Sequence, residues 1–139
     1  MCTIAFLRTF FLRGHIYQAF SYTKEIPSDA VFFIQMTTIG VKAGLEDDIL
    51  LFPLIPAASP CNKYDVFYFF NETPDELGPV AHHKVWISFM TARPKLSMLS
   101  TMLRDDNIRH IHTLTPVIVD KIANNASKVI SVQDRTYLK

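Results

Sequence analysis

Glycine is scarce in this chain, and its few glycines form no known phosphate-binding or nucleophile motif. Only 4 of the 139 residues are glycine. None stands in a Gly-x-Gly-x-x-Gly, Walker or Gly-x-Ser-x-Gly arrangement, so we expect no phosphate-cradling loop and no exposed serine nucleophile. The sequence therefore predicts no cofactor. Its turns must use the 8 prolines together with aspartate and asparagine.

Cysteine is also scarce. Cys2 and Cys61 are the two cysteines of the chain, and they form no Cys-x-x-Cys pair. A disulfide scaffold and a structural zinc finger both need more cysteines at characteristic spacings. Each of the two is best interpreted as a buried thiol.

The chain has almost no excess charge. Its 14 basic and 13 acidic residues give a net charge of +1, and they are dispersed along the sequence. A nucleic-acid partner is disfavoured because phosphate neutralisation requires clustered lysine and arginine. The apolar share of 49% and the charged share of 19% are typical of a globular chain. The length predicts a single α+β domain over residues 1–139.

Long apolar runs are absent as well. Near the N-terminus, Arg8 interrupts the apolar residues and no small-residue cleavage site follows, so the sequence predicts no signal peptide. No run approaches the roughly 20 apolar residues that span a bilayer. We therefore expect a cytoplasmic protein with no transmembrane segment.

Two aromatic runs, at residues 64–70 and 84–92, dominate the sequence. Their aromatic and β-branched residues predict two antiparallel strands, and the connection between them carries Pro74, Gly78 and Pro79. Before these runs, residues 3–13 fit a strand or an amphipathic segment, and residues 15–22 fit helical or strand spacing; of these we favour a hairpin that turns at Gly14. We also predict a strand over 30–41, and an edge or extended segment over 49–56, because Pro53 and Pro56 lack backbone donors.

The C-terminal third of the sequence alternates between helix and strand patterns. Apolar spacing predicts a helix over 97–106, then a strand over 108–114. Thr115 and Pro116 are typical of a helix start, so a helix is predicted over 116–126, and a last short strand over 128–132. The whole pattern predicts the α+β class, with a largely antiparallel sheet and helices from the C-terminal third packed on one face.

The strongest candidate for chemistry is the pair His110 and His112. On a strand their two-residue spacing places both imidazoles on one face, where they could chelate one metal ion. Zinc catalysis needs a third protein ligand. The candidates are His82 or His83 in the loop of the aromatic hairpin and Asp120 in the helix that follows. The pair predicts a small metal-dependent or histidine-based hydrolase as the alternative function.

The preferred function is predicted from the consecutive aromatic residues of the first run. Phe67, Tyr68, Phe69 and Phe70 are consecutive, so both faces of their strand are aromatic, and Trp86 lies in the pairing strand. A strand with two apolar faces must be covered on both sides. We therefore predict a non-enzymatic protein-interaction module whose aromatic sheet face or edge binds a protein partner or a second copy of the chain. Whether the protein is an enzyme stays open at this point.

Overall fold

The protein is built around a six-stranded antiparallel sheet with the strand order β4-β5-β3-β2-β1-β6. The structure, a computed structural model, describes residues 4–20, 32–40, 42–56, 65–66, 85–88 and 91–138. The α+β class and the antiparallel sheet predicted from the sequence are confirmed. The elements are α1 (Ile4–Phe10), β1 (His15–Ala19), β2 (Phe32–Gln35), β3 (Leu51–Pro56), β4 (Asp65–Val66), β5 (Val85–Ser88), α2 (Leu96–Arg104), β6 (Ile108–Thr113), α3 (Pro116–Ala126) and α4 (Val132–Arg135).

Helices cover both faces of the sheet. Alternate residues of each strand point to opposite faces, so neighbours such as Phe33 and Ile34 enter different cores. One core joins the strands to α3 and the C-terminal residues. The other joins them to α1 and α2. The described part of the sheet thus has an apolar layer on each side.

The helices follow the apolar spacing of the sequence. In α2, Leu96, Leu99 and Met102 form one buried stripe. The predicted helix over 116–126 is confirmed as α3, with Pro116 at its first turn, although the Thr115 side chain makes no capping hydrogen bond. Among the described residues, no helix has the length and apolar character needed to cross a membrane.

The N-terminal hairpin predicted to turn at Gly14 is wrong. Residues 4–10 form α1 instead, because Leu7 and Phe11 lie four positions apart and both are buried in one core. Gly14 then turns the chain directly into β1 with a φ of 91°. The predicted last strand over 128–132 is also wrong, since a turn follows α3 and Ser131 caps α4 by accepting a hydrogen bond from the Asp134 N–H.

The aromatic hairpin is confirmed where it is described. Val66 of β4 is opposite Ile87 of β5 in an antiparallel pair. In contrast, β3 is not an edge strand, because β2 and β5 flank it on both sides. Pro53, one of the two prolines of β3, lies at a change of register. Leu51 bridges Ala92, whereas Leu54 is opposite Ile87 of β5, so the register of the pairing changes between Leu51 and Leu54.

Candidate functional site

The described residue cluster with the most distinctive chemistry lies where β6 pairs with β1 at one edge of the sheet. The pairing has a bulge. Ile16 is opposite His112, but the next residue, Tyr17, is opposite His110, so Ile111 is an extra residue on β6. Bulges of this kind often redirect side chains beside functional sites.

The bulge separates the two histidines that the sequence predicts on one face. Residues directly opposite each other in an antiparallel pair project on the same face. His110 therefore shares the face of Tyr17, in the core with α1 and α2. His112 instead shares the face of Ile16, in the core with α3. The shared face assumed for the metal pair does not form.

His110 instead stacks on a histidine from the neighbouring strand. The ring centroids of His15 and His110 are 4.0 Å apart and their planes differ by 16°. The ring centroids of Phe10 and His110 lie 6.5 Å apart in a T-shaped arrangement. The ring centroid of Tyr17 lies 5.7 Å from that of His110. His15 is only 8% exposed, so the two imidazoles form the polar centre of an aromatic cluster.

The hydrogen bonds of the cluster fix the proton positions on both rings. His15 Nδ1 is 3.0 Å from the Phe10 carbonyl oxygen and 3.0 Å from the Tyr17 hydroxyl. A carbonyl can only accept, so His15 carries its proton on Nδ1. The Tyr17 hydroxyl donates to the same carbonyl at 2.5 Å. By the same reasoning, His110 carries a proton on Nε2, which donates to the His112 carbonyl at 3.0 Å.

Burial disfavours a charge on His15 and on Tyr17. It lowers the pKa of His15 from its ordinary value near 6.5, and the nearby charge of His110 lowers that pKa further, while the hydrogen bond to the Phe10 carbonyl partly opposes both. Burial also raises the pKa of the Tyr17 hydroxyl, so this group remains a donor. His15 and Tyr17 are therefore favoured in their neutral forms.

No acidic residue occurs on the elements that form and flank the cluster. The sequences of α1, β1, α2 and β6 contain no aspartate or glutamate. Their charged or titratable side chains are Arg8 on α1, His15 and Tyr17 on β1, Arg104 on α2, and Arg109, His110 and His112 on β6. An added proton on either imidazole therefore has no carboxylate from these elements to stabilise it.

The stacked rings are poorly arranged to chelate one metal ion. An imidazole binds metal along a lone pair in the plane of its ring, and nearly parallel planes at 16° keep those lone pairs from converging. The described residues contain no group of three or more metal-ligating side chains. His82 and His83 lie outside the described residues, so the metal site and the hydrolase built on it stay predictions.

The aromatic interaction surface predicted from the sequence is largely untested. Phe67, Tyr68, Phe69 and Phe70 lie outside the described residues, and Trp86 is described only by its backbone, opposite Ile55. A different aromatic residue is exposed beside β6. Phe20 is 47% exposed, and the Arg109 guanidinium lies 5.3 Å from the centre of its ring.

His15 and Tyr17 are site residues that the sequence prediction did not include. Both fall in the segment 15–22, whose strand spacing does place them on one face. What identifies them is their tertiary neighbour, His110, far away in the chain. Alternation can therefore suggest that His15 and Tyr17 act together, but only strand pairing shows what they contact.

A second polar cluster, around Arg13, is structural. An open pocket of about 470 Å³ lies beside it. Arg13 Nε lies 3.2 Å from the Met36 carbonyl and 3.1 Å from that of Leu138, and Arg13 Nη1 forms an ion pair of 3.4 Å with Asp120. The Arg13 guanidinium thus binds three separate segments of the chain, so its role is structural.

No protein-family model, curated protein or solved structure matches this chain. The proposals below therefore depend on the geometry of the described residues.

Proposed function

We propose that the protein is a non-enzymatic interaction module that binds an extended segment of a partner protein along the outer edge of β6. The observation that carries this proposal is the position of β6. It is the last strand of the sheet, and β1 is its one neighbouring strand in the described structure. An exposed strand edge is a template for strand addition, in which main-chain hydrogen bonds provide affinity.

The pairing with β1 indicates which backbone groups of β6 are available. At one end of the pairing the Phe20 N–H donates to the Asn107 carbonyl, and at the other the Leu114 N–H donates to the Gly14 carbonyl. Backbone groups alternate in direction along an antiparallel strand. The backbone N–H and C=O groups of Ile108, His110 and Thr113 consequently point away from β1, where an added strand could bind them.

The side chains of β6 favour an acidic partner over a second copy of this chain. The strand carries Arg109, His110 and His112 and no carboxylate. Opposite charges across a strand pair stabilise it, and like charges destabilise it. Two β6 strands side by side would bring their cations together, whereas a segment rich in glutamate or aspartate would pair with them.

Phe20 and Arg109 supply an anchor at the end of this edge. Their cation–π contact of 5.3 Å holds an exposed aromatic ring and an exposed guanidinium in place before binding. Aromatic residues and arginine are enriched at protein interfaces and at their binding hot spots. The preferred binding surface is thus β6 with the Phe20–Arg109 pair.

The first prediction tests this surface with a short blocked peptide of alternating valine and glutamate. We expect it to bind and to shift the NMR amide signals of residues 108–113. Arg109→Glu should weaken its affinity about fivefold to tenfold, because an attractive cross-strand pair becomes repulsive. Isothermal titration calorimetry gives the affinity.

Lys128→Glu is the matched control for this experiment. It makes the same charge reversal at an exposed lysine just beyond the C-terminus of α3, whereas β6 adjoins the N-terminus of that helix. We expect it to leave the affinity within about twofold, because surface charges separated by more than a Debye length are largely screened. Three outcomes would contradict the proposal: no binding, equal binding of the corresponding valine–lysine peptide, or a concentration-dependent dimer that excludes the peptide.

A further inference from the structure

We infer that the stacked His15–His110 pair is a proton-operated switch that holds β6 against β1 while His15 is neutral and releases it when His15 takes up a proton beside His110. The inference that β6 is released depends only on the fold. Its consequence for partner binding rests on the proposed function.

The position of the pair makes it suited to this role. His15 belongs to β1 and His110 to β6, and their rings stack at 4.0 Å across the strand pairing. The next contact along the same face is Tyr17 directly opposite His110. A charge introduced between these rings therefore acts on the pairing of the edge strand itself.

The hydrogen bonds of the pair offer little stabilisation to an added proton. His15 Nδ1–H already donates to the Phe10 carbonyl and approaches the Tyr17 hydroxyl. His110 Nε2–H already donates to the His112 carbonyl, and it also lies 3.0 Å from the Thr113 hydroxyl. The added proton must go to the other nitrogen of a ring. The hydrogen-bond and ring partners of both imidazoles among the described residues are aromatic rings, carbonyls and hydroxyls, none of which carries a negative charge.

The flanking elements α1, α2, β1 and β6 contribute Arg8, Arg104 and Arg109 but no acid that could stabilise an added proton. Separation of β6 from β1 would let water hydrate the imidazolium, so the opened form takes up the proton more readily.

The sign of the pH dependence follows from this difference. The pKa of His15 is lower in the closed form than its ordinary value near 6.5. A base with a depressed pKa makes the closed form most stable above that ordinary value and less stable as the pH falls below it. The pairing of β6 should consequently weaken in mildly acidic solution, where histidine is the side chain that ordinarily titrates.

The second prediction concerns hydrogen exchange of the full chain alone, measured residue by residue by NMR. Between a pH of about 7.5 and one of about 5.5, protection factors of the β6 amides that bond to β1 should fall about fivefold to tenfold, as expected for one proton taken up on opening. Amides of α3, on the other core, should keep their protection. Protection factors already correct for the intrinsic effect of pH on exchange.

His15→Phe is the test variant, because it keeps an aromatic ring in the stack and removes the titrating group. We expect its β6 protection to change less than about twofold over the same range. His112→Phe is the matched control, since it removes a histidine from the same strand on the other face, and it should retain the pH dependence of the natural chain. If His15→Phe does not fold, His15→Asn replaces it, because its amide can donate to the Phe10 carbonyl.

Three results would overturn the switch: constant β6 protection in the natural chain, an undiminished pH dependence in the His15 variant, or loss of protection in α1 without loss in β6.

Peptide binding is measured separately at each pH. Binding that fails at every pH while β6 protection still responds would contradict the proposed function and leave the switch standing. Binding that is independent of pH in a responsive β6 would contradict the link between them.

Discussion

Replacing Gly14 by alanine should destabilise the protein by about 2–4 kcal/mol, because it combines backbone strain with overpacking. Gly14 has a φ of 91°, and a Cβ at this position would lie 2.8 Å from Cγ2 of Val119. Carbon atoms pack best at roughly 3.5–4.0 Å. Val119 is 2% exposed, so it cannot move away without disturbing the core beneath α3.

Gly14 also joins the strands that form the histidine cluster. Its N–H donates to the Gln35 carbonyl at 2.7 Å, and its carbonyl accepts from the Leu114 N–H at 2.9 Å. A shift at Gly14 therefore loosens the contacts of β1 with both of its neighbouring strands at this end. We expect Gly14→Ala to lower hydrogen-exchange protection in β6 even at neutral pH.

Gly40→Ala provides the control for the Gly14 variant. It makes the same chemical change at a glycine where no atom of the described residues lies within 4 Å of the added Cβ, and it should change stability by less than about 1 kcal/mol. Urea denaturation followed by circular dichroism measures the free energy of unfolding of both variants. Equal stabilities of the two would show that neither strain nor crowding operates at Gly14.

Short sequence patterns are sufficient to predict the elements whose signals lie in their own or adjacent residues. The helix over 116–126 follows from a proline at its start and from the buried stripe of Ile118, Ile122 and Ala126. The antiparallel pairing of β4 with β5 follows from two aromatic runs separated by turn residues. These signals lie within a few residues of the element they specify.

The candidate site depends on information that local patterns do not contain. The two-residue spacing of His110 and His112 predicts a common face, and a bulge of one residue at Ile111 reverses that result. His15 has no unusual neighbours in the sequence, and its partner comes from the other end of the chain. A one-residue register change moves side chains to the other face of a sheet, so the pairing itself must be known.

Pro53 illustrates how tertiary context overrides a residue preference. A proline disfavours an interior strand because it cannot donate a ladder hydrogen bond. The interior position of β3 is nevertheless tolerated, since its pairing on the β5 side changes register between Leu51 and Leu54. The sequence predicts an edge or extended segment there, whereas the structure places β3 inside the sheet, between β5 and β2.

Gln35 is a buried polar residue whose side chain binds the backbone shortly before β1, at Phe11, and shortly after β2, at Thr37. It is fully buried, and its Nε2 donates to the Phe11 carbonyl at 2.8 Å and to the Thr37 carbonyl at 2.5 Å. Its Oε1 accepts from the Thr37 N–H. Phe11 packs on Tyr17 with ring centroids 5.2 Å apart, so this amide also supports the aromatic surroundings of the histidine pair.

Gln35→Leu should destabilise the protein by about 2–4 kcal/mol. The variant loses one buried bond to the Phe11 carbonyl and two part-buried bonds to the Thr37 backbone, and a buried group left without a partner costs about 1–3 kcal/mol. The added apolar surface does not compensate, because the Phe11 carbonyl remains buried. Gln18→Leu is the matched control. It makes the same change at a half-buried strand position and should cost less than about 1 kcal/mol. Urea denaturation compares the two variants, and a Gln35→Leu protein as stable as the control would mean that water or a rearranged backbone satisfies the groups that Gln35 binds.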